Sequence, residues 1–66
     1  MHIAINGTQH EVDTGSNLQD LLNSLALAKG RIAVELNGEI VSRSTFPQLI
    51  LNNGDNLEIV QAIGGG

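Results

Sequence analysis

Two Asn-Gly dipeptides, Asn6-Gly7 and Asn37-Gly38, each stand between two short segments of alternating polarity. Asn and Gly both accept a positive φ, which the tight two-residue turns between antiparallel strands demand, so each dipeptide predicts a β-hairpin. In the first, Ile3 and Ile5 point one way and His2, Ala4 and Asn6 the other, and Gln9 to Val12 forms the return. In the second, Ile32, Val34 and Leu36 face inward ahead of the turn and Glu39-Ile40-Val41 follows it. Hairpins apolar on one face need a second layer to cover them.

The segment between the hairpins supplies that layer. Ser16-Asn17-Leu18-Gln19 has the spacing of a capping box, with Ser16 as the cap and Gln19 reaching back, so a helix is expected to start here. Leu18, Leu21, Leu22 and Leu25 make one apolar stripe, and Lys29 followed by Gly30 suits the helix end. Ser42 to Gln48 is polar and holds the only Pro, and it reads as an ordered connection with room for one helical turn. The cluster Asn52-Asn53-Gly54-Asp55 is a turn, and Leu57 to Ile63, alternating and β-branched, is expected to be a central strand.

Strand, strand, helix, strand, strand, strand is the β-grasp pattern: an α+β domain with a mixed sheet of about five strands packed by one helix. The first and last strands are expected side by side and parallel in the middle, since the helix supplies the crossover. The expected division is a domain over residues 1–63 and a flexible tail over 64–66. An extended tail of Gly64, Gly65 and Gly66 reaches about 10 Å past the last strand.

With 66 residues there is room for a single core. Three basic residues against seven acidic ones give a net charge of −4, and Phe46 is the sole aromatic, which argues against nucleic acid and anionic membranes as partners. No apolar run approaches the roughly 20 residues of a membrane span, and Met1-His2 is no basic leader, so a cytoplasmic chain, monomeric when alone, is expected. With no Cys there is neither disulfide nor thiolate chemistry.

Candidate sites are few. His2 and His10 lack a nucleophile motif beside them and read as sheet-edge histidines, and no metal site is expected. Glu11, Asp13, Glu35, Glu39 and Glu58 read as a solvated face. On the face turned from the helix, alternation places Ala4, Ala33, Val60 and Ala62, small apolar side chains that, with Ile63 at the root of the tail, suit either a bland sheet surface or a docking face.

Leu36-Asn37-Gly38-Glu39-Ile40-Val41-Ser42-Arg43 and Asn53-Gly54-Asp55-Asn56-Leu57-Glu58-Ile59-Val60-Gln61-Ala62-Ile63-Gly64-Gly65-Gly66 resemble the thiamin-biosynthesis sulfur carrier (ThiS) family, ubiquitin-like β-grasp proteins ending in Gly-Gly. The resemblance implies a protein cosubstrate, not an enzyme. It implies that Gly66 is adenylated and converted to a thiocarboxylate for thiamin thiazole formation, with Gly64 and Gly65 threading partner sites. The implied partners are a ubiquitin-activating-type adenylating enzyme using ATP and Mg²⁺, a thiazole synthase and a persulfide sulfur donor, and the chain itself is expected to bind no cofactor. The same ending serves molybdopterin-type and RNA-thiolation carriers, and a β-grasp interaction module with an idle tail fits the composition as well.

Overall fold

Both Asn-Gly dipeptides turn hairpins. In a computed structural model describing residues 1–27 and 30–61, strand β1 (His2–Ile5) pairs antiparallel with β2 (Thr8–Glu11), and β3 (Ile32–Leu36) with β4 (Glu39–Val41). Asn6 and Asn37 have φ of 50° and 51°, and the glycines after them 84° and 87°. These are the consecutive left-handed residues such a turn requires, which Asn and Gly adopt at low cost. Helix α1 (Leu18–Ser24) lies between the hairpins in sequence, and β5 (Asn56–Gln61) follows them.

The sheet order is β2-β1-β5-β3-β4, with β5 parallel to β1 and antiparallel to β3. The expected β-grasp topology is therefore the observed one, first and last strands adjacent at the centre. Ile3, Ile5, Val34, Leu57 and Ile59 from the sheet and Leu18, Leu21 and Leu22 from α1 form one core. Each such side chain contributes about 1.5–3 kcal/mol by leaving water. Ala62 and Ile63, expected to extend β5, lie outside the described residues, as do Gly64, Gly65, Gly66 and the helix-end residue Lys29.

Both ends of α1 differ from expectation. The cap is Asn17, whose side-chain oxygen accepts from the Asp20 N–H at 2.7 Å, and not Ser16, whose hydroxyl donates to the Asp13 carbonyl at 2.7 Å. Gln19 donates forward to Asn23 and does not reach back. Asn17 is extended, with φ −98° and ψ 166°, and bridges Ile50, so the tie between the helix start and the segment before β5 selects the cap. The helix also stops earlier than Gly30. Leu27 N–H bonds to the Leu22 carbonyl and Ala26 N–H to the Asn23 carbonyl, the paired bonds of a Schellman ending, with Ala26 at φ 58° in the place glycine usually fills.

The polar stretch after β4 is a 3₁₀ helix over Arg43–Gln48, packed on α1, and it carries Phe46 into the core at 3% exposure. One buried aromatic thus orders a segment whose other side chains gave no pattern. The Arg43 guanidinium reaches back to the Gly30 carbonyl at 2.6 Å, joining this helix to the loop ahead of β3.

Candidate functional site

The sequence resemblance places the candidate site on the glycines that follow β5 in the sequence, and β5 is the last described strand before them. Its start is anchored through Asp55, which is 8% exposed. One carboxylate oxygen accepts from the Asn52 N–H at 2.7 Å and the other from the Asn37 side-chain amide at 3.1 Å. The Asn37 side-chain oxygen accepts from the Asn56 N–H at 2.9 Å, while the Asn37 N–H donates to the Asn56 carbonyl at 2.8 Å. The second hairpin turn therefore grips the first residue of β5 while satisfying a carboxylate that burial would otherwise penalise. The Asn52–Asp55 turn that precedes β5 is tied to β1: Gly54 N–H donates to the His2 carbonyl, and His2 N–H donates to the Asn53 side-chain oxygen, both at 2.8 Å.

Further along, β5 is held unequally on its two sides. Toward β3 the register runs to its last residue, Gln61 opposite Ile32. Toward β1 the backbone ladder ends with the Asn6 N–H on the Leu57 carbonyl at 2.9 Å. There the Asn6 side chain takes over: its oxygen accepts from the Ile59 N–H at 2.7 Å and its amide donates to the Ile59 carbonyl at 3.0 Å. A side-chain amide thus supplies the donor and the acceptor of one more backbone partner.

On the open face of the sheet, Ala33 and Val60 stand directly opposite each other, and Val60 is 65% exposed. With Arg31 and Ile32 they line a depression of about 220 Å³. Ala4 pairs with Asn56, four residues earlier along β5 than Val60. Between the two levels Glu35 and Glu58 oppose each other, with Ile40, 82% exposed, on the far side of Glu35. The structure thus brings Ala33 and Val60 together and separates them from Ala4 by a pair of like charges, which disfavours the sheet slightly. The expected docking residues Ala62 and Ile63 and the tail Gly64, Gly65 and Gly66 lie outside the described residues.

The histidines are not arranged for catalysis. His2 Nε2 lies 3.2 Å from a Glu11 carboxylate oxygen, and both side chains are mostly exposed. His10 is on the edge strand as expected, whereas His2 is on β1, one strand in, because β2 covers that side. Among the described residues no cluster of His, Asp and Glu is disposed to hold a metal. A hollow of about 350 Å³ between β2 and α1 is lined by Glu11, Asp13 and Asp20 and by Ser16 and Ser24, whose hydroxyls donate to the Asp13 and Leu21 carbonyls. Sequence reasoning missed Asn6, Asn37 and Asp55 as anchors of β5. The available signal was the choice of Asn at both turns, since its side-chain amide carries a donor and an acceptor on separate atoms, as Gly, Pro and Asp do not.

Comparison with known proteins matches residues 3–66 to the model of the ThiS family. The sulfur carrier protein ThiS of Bacillus subtilis is 41% identical over 54 residues, which are 82% of this chain and 80% of that one. A thiazole synthase of Magnetococcus marinus is 41% identical over the whole chain, which spans only 20% of that protein's length. A crystal structure of a thiamine biosynthesis protein (ThiS) from Geobacter metallireducens superposes with a TM-score of 0.84 at 35% identity, each chain covered in full.

Proposed function

The chain belongs to the ThiS family, and on that footing we propose that it is a sulfur carrier of thiamin biosynthesis that holds its sulfur on the carboxyl group of Gly66. The observation that carries the reading is the match to a family of sulfur carriers that runs through Gly64, Gly65 and Gly66. The chemistry agrees with it. A chain without Cys has no thiol on which to hold sulfur, whereas a carboxylate on bare glycine backbone fits a narrow enzyme channel.

The carboxylate is anionic at neutral pH and resists nucleophiles until its oxygen becomes a good leaving group. In the proposed sequence a Gly66 oxygen attacks the α-phosphorus of ATP, and pyrophosphate departs with its electron pair. Mg²⁺ and the catalytic groups for this step belong to a separate adenylating enzyme. The terminal sulfur of a persulfide donor then attacks the acyl carbon and AMP leaves, giving an acyl disulfide. A thiol cleaves that S–S bond, leaving the Gly66 thiocarboxylate and a new disulfide, so the thiol supplies the two electrons. The thiocarboxylate sulfur attacks an electrophilic carbon of a thiazole synthase's substrate, and water cleaves the acyl C–S bond of the resulting thioester, leaving the sulfur on the substrate and restoring the Gly66 carboxylate, so the chain acts as cosubstrate and not as catalyst.

Docking is assigned to the open sheet face at Ala33 and Val60, with Ala4 at its margin and Ala62, Ile63, Gly64 and Gly65 continuing toward the partner's active site. The depression beside Val60 lies on the strand that leads into the tail, which supports this assignment. The test removes Gly66 alone. In a reconstituted thiazole-forming reaction the shortened chain is expected to keep its circular dichroism spectrum and lose sulfur transfer, and transfer retained by it would refute the reading.

A further inference from the structure

We propose that Asn6 is a positioning residue for sulfur loading: by clamping Ile59 it sets the path along which β5 delivers Gly66 to the adenylating enzyme. The inference rests on the proposed function, because it concerns how the same terminus is presented. Its basis is the unequal support of β5. On the β3 side pairing continues to Gln61, but on the β1 side the backbone of β1 has already turned away at Asn6-Gly7. Ile59 is held from that side through the Asn6 side chain, in two hydrogen bonds spanning 53 positions of sequence.

Ile59 stands seven positions before Gly66. The two further described residues of β5, Val60 and Gln61, carry the strand about 7 Å beyond Ile59, so roughly 10° of slack at Ile59 moves its end by about 1 Å. Reacting atoms must meet at about 3–3.5 Å, and misplacement by about 1 Å can cost a hundredfold in rate. A strand fixed at both edges starts the tail from one direction, whereas a strand fixed at one edge pivots.

The protein contains its own control. Asn37 has the same left-handed backbone, precedes a glycine in the same way and also grips β5 through its side-chain amide, but at Asn56, the opposite end. Glycine at either position keeps the turn and removes the clamp. A role limited to stability makes the two variants equivalent, and a positioning role does not.

The experiment loads wild type, Asn6→Gly and Asn37→Gly with sulfur, using the adenylating enzyme, MgATP and a persulfide donor, and follows intact mass over time with each chain as the varied substrate. Both variants are expected to melt several degrees below wild type. Only Asn6→Gly is expected to lose kcat, by about tenfold or more, with KM changed much less. Amide hydrogen exchange at Ile59 to Gln61 is expected to quicken in Asn6→Gly alone. Asn6→Asp, which keeps the acceptor for the Ile59 N–H, gives an intermediate kcat and serves should the glycine variant unfold. Equal kcat losses in the two glycine variants, or wild-type kcat in Asn6→Gly, would overturn the inference. Wild type that takes up no sulfur would instead break the proposed function.

Discussion

The two hairpin turns share a dipeptide and a backbone conformation, yet their side chains do different work. Asn37 serves the start of β5 and shares its amide with a buried carboxylate, Asp55, so its role is partly to satisfy a charge. Asn6 serves the later half of β5, touches no charged group there and imitates a strand residue that β1 no longer provides. A turn motif that looks like local punctuation is therefore a long-range tie, and its meaning depends on which part of the central strand passes beside it. The start of β5 is held by a polar network of several members, and the β1 side of its later part by one side chain.

The contrast can be tested in order of expected effect. Asp55→Ala removes the carboxylate that accepts part-buried hydrogen bonds from the Asn52 N–H and the Asn37 side-chain amide, so urea unfolding is expected to show a loss of about 3 kcal/mol. Glycine at Asn6 or Asn37 removes two side-chain hydrogen bonds while keeping the turn, a loss of about 1–2 kcal/mol in the same measurement. The smallest effect has the opposite sign. Ala26 is the third non-glycine residue with positive φ among those described, and its methyl group has no compensating hydrogen bond. Ala26→Gly is expected to raise stability by about 1 kcal/mol by relieving that conformation. A loss on Ala26→Gly would mean that the unfolded-state entropy of glycine outweighs the relief of a left-handed backbone, and that the same penalty makes up part of the losses at Asn6 and Asn37.

Much of the fold was legible because its signals are local and redundant. The period-2 stretches around Asn6-Gly7 and Asn37-Gly38, the leucine stripe of α1 and the alternation after Asp55 each name an element, and their order admits few topologies. Legibility failed where tertiary contacts decide. Ser16 and Asn17 are both good caps, and the bridge from Asn17 to Ile50 chooses between them. Ala26 takes a place at which glycine was expected, so the end of the helix carried no sequence mark. Phe46 enters the core from a segment with no periodicity at all.

The candidate site was legible differently. Ala33 and Val60 follow from alternation and register, and they do meet. The separation of Ala4 from them by Glu35 and Glu58 depends on how far β1 and β5 are staggered, which hydrophobic pattern alone does not report. The grip of Asn6 on Ile59 links residues 53 positions apart and has no periodic signature.

The most direct test of the sulfur-carrier account is the intact mass of the chain after incubation with the adenylating enzyme, MgATP, a persulfide donor and a reducing thiol, beside a chain lacking Gly65 and Gly66. The account expects a gain equal to sulfur replacing one oxygen, confined to the full chain and mapped by fragmentation to Gly66. An unchanged mass, with the same enzyme active on another carrier, or the same gain in the shortened chain, would contradict it.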